Sequence, residues 1–222
     1  MPTASTAPAG GVAVAVLPVV PCPTTYGVQP NATPFVAHQL PAATAASGLS
    51  FYSNGRLTVL GPAGWACSAL VAADGGQRLD VYQPGQPDLS THQAPPGTAV
   101  IQVDADYTGH GPGAQLICPL FPNSPAATFL SPSLPCPAHA SREHLTRLSD
   151  DVVSFEDPAG VIGAGAGSGG SLNSVGAAVY PQMNPEPEGG VTVDVLSCTL
   201  PSRNSDDCDA IEADFLVRNP PT

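Results

Sequence analysis

Residues 51–82 read FYSNGRLTVLGPAGWACSALVAADGGQRLDVY, and this stretch sets the expected fold. Two β-prone runs flank Asn54-Gly55, a strong hairpin turn signal. Two more flank Ala73-Asp74-Gly75-Gly76, a second turn of the same kind. Two hairpins in close succession point to a sheet built from short antiparallel strands.

The same rhythm continues on either side. Extended runs are expected over residues 12–20, 99–104, 116–121, 152–155, 177–180 and 191–196. In the last of these Val191, Val193 and Val195 alternate with Thr192, Asp194 and Leu196, mostly a period-two pattern with one buried face. Two segments read as helical. Residues 140–148 place Ala140, His144, Leu145 and Leu148 on one side. Residues 205–217 set Cys208, Ile211, Phe215 and Leu216 at helical spacing. In the latter, Asp206, Asp207 and Asp209 crowd the positive end of the helix dipole, and Asn219-Pro220 closes it. Residues 82–97 are a proline-rich loop rather than a linker, because a bisected chain would leave each half too thin a core. The expected fold is mainly β (β-rich α+β): disulfide-stapled antiparallel sheets with two short packed helices. Residues 1–20 are expected to be a flexible tail or spacer, and residues 21–222 a single domain.

Composition limits the chemistry. The chain of 222 residues contains no lysine, and its six basic residues are all arginine. Schiff-base catalysis and a P-loop phosphate grip both need a lysine. The formal net charge of −12 repels phosphate backbones, so nucleic acid is not an expected partner. The longest apolar run, 12–20, is interrupted by Pro18 and is far too short to cross a bilayer. It also lacks a basic lead, so it is not read as an export signal. Export would then require a signal removed ahead of residue 1; the other reading is a cytoplasmic start at Met1.

Export is expected because of the cysteines. Cys22, Cys67, Cys118, Cys136, Cys198 and Cys208 are even in number and widely spaced. Zinc sites favour short Cys-x-x-Cys or His-x-x-x-His pairs, and none occurs here. Disulfides in an extracytoplasmic protein are the better reading. Nearest-neighbour pairing gives Cys22–Cys67, Cys118–Cys136 and Cys198–Cys208. Each such loop stabilises by about 3 kcal/mol in the chain-entropy description.

Several constellations carry possible chemistry. Gly165-Ala166-Gly167-Ser168-Gly169-Gly170 satisfies G-x-G-x-x-G. It lacks the preceding strand and following helix of a dinucleotide site, so no cofactor is expected. The same loop suggests a nucleophile, Ser168, with glycines freeing the backbone for an oxyanion hole. His144 would serve as base with Asp151 or Asp150 orienting it, and His139 in reserve. Asp104-Ala105-Asp106-Tyr107-Thr108-Gly109 matches the first half of a calcium loop. Gln115 stands where the bidentate carboxylate belongs. No metal is therefore expected, and Asp104 and Asp106 are the residues on which an irregular calcium site would rest. Glu156-Asp157 cannot by themselves form a two-carboxylate site, because neighbours on a strand point to opposite faces. Asp74 or Asp106 would have to supply a partner. Trp65, the single tryptophan, is expected to pack in the core beside Cys67 rather than to stack on a sugar.

Taken together, CPTTYG at 22–27, GPAGWAC at 61–67, FEDPAGV at 155–161, SGG at 168–170 and CTLP at 198–201, followed by Cys208 and a helix, resemble a pattern. It is that of a group of secreted proteins of unknown function from high-GC Gram-positive bacteria. The resemblance covers residues 22–216 and implies export and disulfides, but no activity. The expected role is a secreted, non-catalytic binding or structural module, extracellular or associated with the cell wall. Its partner would be an envelope component, an extracellular protein or a glycan. The alternative is an extracellular serine hydrolase built on Ser168.

Overall fold

The computed structural model describes residues 15–27, 29–42, 48–73, 75–90, 92–105, 118–122, 124, 127, 142–180, 193–201 and 205–220. Thirteen strands and a long helix follow in chain order: β1 (Val16–Pro21), β2 (Thr24–Tyr26), β3 (Gln29–Ala32), β4 (Gln39–Pro41), β5 (Leu49–Ser53), β6 (Thr58–Pro62), β7 (Ala66–Val71), β8 (Gln77–Tyr82), β9 (Val100–Ala105), β10 (His144–Arg147), β11 (Val152–Asp157), β12 (Ser174–Val179), β13 (Asp194–Thr199) and α1 (Ser205–Arg218). They form a four-stranded sheet, β4-β1-β5-β6, and a nine-stranded sheet, β10-β11-β12-β13-β9-β8-β7-β2-β3.

Both expected hairpins form. In β5–β6 the Asn54 side chain takes the N–H groups of Arg56 and Leu57 at 3.0 and 2.7 Å. Ser53 Oγ donates to the Leu57 carbonyl at 2.9 Å. These local bonds offer the backbone a turn in place of a continued ladder. In β7–β8 the Ala72 N–H closes onto the Gly76 carbonyl at 2.8 Å, and Gly75 adopts a φ of 94°. Two pairings are parallel, β1 with β5 and β2 with β7. β1 begins at Val16, so the last part of the expected tail, 16–20, is a strand of the small sheet. Residues 1–14 lie outside the described residues.

One face of the large sheet presents Ala69, Leu79, Val81, Ile101, Val103, Ala177, Val179 and Leu196. These form a single cluster with Phe51, Tyr52, Val59 and Leu60 of the small sheet and Ile211 and Phe215 of α1. The opposite face is also covered. Val153, Phe155, Ala178 and Val195 pack with Leu120, Phe121 and Tyr180, and Tyr82 and Val100 pack with Leu89. This double coverage corrects one expectation. The strand expected at 191–196 lies at 194–199, and both of its faces are buried from Val195 to Thr199. Period-two polarity fails where a strand has no wet side.

Two other expectations are corrected. Residues 118–120, expected to be extended, are helical. Pro119 has no N–H to give a sheet ladder but is tolerated in a first helical turn. Residues 140–148, expected to be a helix, contain β10, which pairs antiparallel with β11 from His144↔Glu156 to Arg147↔Val153. His-Leu-Thr-Arg alternates an inward Leu145 with exposed neighbours, and the open edge of β11 decides between the two readings. The second expected helix is present. Arg218 at its last turn holds Asp214 at 2.7 Å and lies 4.4 Å over the Phe51 ring.

Cys22–Cys67 and Cys198–Cys208 are disulfides, with Cα separations of 5.3 and 5.7 Å. Cys118 is also disulfide-bonded. Its expected partner, Cys136, lies outside the described residues.

Candidate functional site

Two long loops meet over the face of the large sheet that the small sheet leaves uncovered. One is the proline-rich segment 83–99 between β8 and β9. The other is the glycine-rich segment 158–173 between β11 and β12. They clasp where the Gly97 N–H donates to the Gly167 carbonyl at 2.7 Å. Between them and the sheet lies a cavity of about 380 Å³. Its floor is Arg78, Gln102 and Asp104, and its walls include Gln93, Ile162 and the backbone from Gly163 to Ser168.

Arg78 organises the floor. Its Nη2 donates to the carbonyls of Leu89, Ser90 and His92 at 2.6, 2.8 and 3.2 Å, pinning the proline-rich loop. Its Nε faces Asp80 Oδ2 at 3.1 Å. Asp80 is buried, and burial is the largest influence raising its carboxyl well above the ordinary range. Arg78 opposes that rise, whereas the charges of Asp104 and Asp88 add to it. Asp104 stands opposite Arg78 across β8–β9 and accepts from Gln102 Nε2 at 2.5 Å.

The glycine loop is held from behind. Gly165 N–H donates to Asp157 Oδ2 at 2.7 Å, and Ala164 N–H to Glu143 Oε1 at 2.9 Å. Ala166 N–H donates to Ser197 Oγ at 3.0 Å, and Ser168 N–H to the Gly165 carbonyl at 3.1 Å. Ser168 Oγ accepts from the Gly163 N–H at 3.2 Å and donates to the carbonyl of the same residue at 3.5 Å. The amides that would make an oxyanion hole are thus largely spent on the protein itself, and the charged and amide side chains lining the cavity are Arg78, Gln93, Gln102 and Asp104.

The residues of the expected triad are not brought together. Ser168 is nine-tenths buried and bonded within its own loop. His144 is exposed on the edge strand β10, with Nδ1 3.7 Å from Glu156 Oε2. That pair is on the other face of the sheet from the cavity, since Glu156 lines a separate pocket beside Cys198 and Cys208. Asp151 sits in the turn at the far end of the β10–β11 hairpin, and Asp150 pairs with Arg147 at 3.4 Å. His139 lies outside the described residues. Of the calcium candidates, Asp104 is on the cavity floor and Asp106 lies outside the described residues. Among the described residues no three His, Cys, Asp or Glu side chains form a metal cluster. G-x-G-x-x-G joins two antiparallel strands, not a strand and a helix. Trp65 is half-buried against the main core and away from the cavity.

Glu156 and Asp157 do point to opposite faces. The carboxylate beside Asp157 is Glu143, which sequence reasoning did not single out. Extending the register His144↔Glu156 by one residue places Glu143 opposite Asp157. The helical reading of 140–148 concealed that signal.

The described residues thus define a class: a mostly β, disulfide-stapled domain with a loop-walled polar cavity on its larger sheet. No protein-family model, curated protein or solved structure matches the chain.

Proposed function

We propose that the protein is a secreted, non-catalytic binding module of the cell envelope or extracellular space. The cavity between the two loops is its ligand site. The observation that carries this reading is the polar lining of the cavity: loop amides and the Ser168 hydroxyl are committed internally, while Arg78, Gln93, Gln102 and Asp104 bring guanidinium, amide and carboxylate groups to its surface. Such a set recognises hydroxyl-rich molecules by hydrogen bonding, which favours a glycan among the possible partners. Disulfides support an oxidising compartment, and no described helix is long and apolar enough to cross a membrane. The resemblance to secreted proteins of high-GC Gram-positive bacteria agrees with both. The alternative, a serine hydrolase, would require Ser168 to turn away from Gly163 and find a base.

Saturation-transfer NMR with soluble fragments of cell-wall glycan tests the reading. Gln102→Leu should weaken binding by about tenfold, the equivalent of about 1.4 kcal/mol, and Ser168→Ala should leave it unchanged. Binding indifferent to Gln102→Leu would remove the cavity as the site. Labelling of Ser168 by a serine-directed phosphonate would favour the hydrolase.

A further inference from the structure

Asp157 is completely buried at the end of β11. Its Oδ2 takes the Gly165 N–H, but no hydrogen-bond donor among the described residues reaches Oδ1. What stands beside it is the carboxyl of Glu143. The two crowd one point: a side chain begun at Gly163 would meet Asp157 Oδ1 at 1.8 Å and Glu143 Oε1 at 2.8 Å. Only glycine allows the backbone to lie across both acids at that position. A buried carboxyl set beside a second, half-buried one does not ionise readily; a proton held on Asp157 toward Glu143 converts repulsion into a hydrogen bond.

We propose that Glu143 and Asp157 form a proton-operated latch on the glycine loop. With one proton shared, the pair grips the adjacent N–H groups of Ala164 and Gly165 and holds this wall of the cavity closed. When that proton leaves for solvent, the like charges separate and the wall loosens. The latch is independent of whether the cavity takes a glycan.

The surroundings leave the pair in control. Residues 158–173 contain no titratable side chain. β12 and β13 contribute the buried hydroxyls of Ser174 and Thr199, 2.5 Å apart. Arg142, just ahead of Glu143, is exposed. His144 and Glu156 face each other on the opposite side of β10 and β11. Glu143 is the charge that acts most on Asp157. Burial first, then Glu143, raise the Asp157 carboxyl from 3.8 to about 7, against the lowering effect of the Gly165 and Ala164 amides. A carboxyl raised on folding adds stability that is complete below its unfolded value and is lost as pH rises through its folded value. The latch is therefore closed in mild acid and released above about pH 7.

Amide hydrogen exchange in the full chain tests this, with Val81 and Ile101 amides as the reference because Asp80 and Glu212 also titrate upward. After correction for intrinsic rates, Ala164 and Gly165 should lose roughly tenfold in protection between about pH 5.5 and about pH 8.5 relative to that reference. Asp157→Asn supplies a permanent N–H toward Glu143 and should keep protection at both values. Equal protection of the wild type at both values, or an unchanged pH response in Asp157→Asn, would overturn the latch. Should that variant not fold, carbon-13 titration of Asp157 in the unmodified protein decides: a midpoint near 7 supports the latch, and one near 4 rejects it.

Discussion

Arg78→Met should destabilise the protein by about 3–5 kcal/mol, the cost of leaving a buried charge without its partner. The side chain unites two tasks: Nε answers Asp80, and Nη2 answers three carbonyls of the proline-rich loop. Methionine retains the apolar stem and removes both. Because burial already pushes the Asp80 carboxyl upward, the variant can escape part of the penalty by protonating. Its cost should therefore grow from mildly acidic to mildly alkaline pH. Adding Asp80→Asn should recover much of the loss and flatten that growth. Arg78→Lys should not substitute, since a point charge cannot serve both directions as a planar fork does. Guanidinium unfolding across pH measures all three. A pH-independent loss that Asp80→Asn does not relieve would mean that the pair contributes little.

Removing the Cys22–Cys67 bridge by a double alanine substitution should cost about 4 kcal/mol in the chain-entropy description, or about 10 °C in Tm. The bridge closes a separation of 45 residues, whereas Cys198–Cys208 closes 10. Removing the shorter bridge in the same way should cost about 1 kcal/mol less. The order matters more than either value. If the short bridge proves the costlier, its tie between β13 and α1 stabilises the native state beyond what loop closure accounts for.

Legibility in the sequence followed how local each signal was. Asn54-Gly55 and the Asp74-Gly75-Gly76 turn announce their hairpins because a few adjacent residues decide them. The acidic start of α1 and its terminal Asn-Pro are equally local. Nearest-neighbour pairing anticipated both described disulfides. What escaped depends on remote partners. His144–Arg147 has helical spacing and becomes a strand because the edge of β11 is open to it. Residues 118–120 have the composition of an extended run, yet Pro119 has no N–H to give a ladder. The site escaped for the same reason. Arg78, Gln102 and Asp104 are ordinary residues of two strands, and only the β8–β9 register joins them beneath the loops. Glu143 and Asp157 meet through the register of β10, whose residues have helical spacing. The glycines around Ser168 suggest a nucleophile, but they serve close packing: Gly163 and Gly165 over Asp157, Gly167 against the Thr98 carbonyl, and Gly170 against Gly97.

β1 and β2 are one nearly continuous run that leaves the small sheet at Pro21 and enters the large one at Thr24. In each sheet it lies parallel to a strand made later, β5 or β7. β3 and β4 can pair with this run as soon as they are made, but its parallel pairings must wait for β5 and β7. Completion of both sheets around it is thus delayed by topology, because a parallel partner is reached only through a long connection.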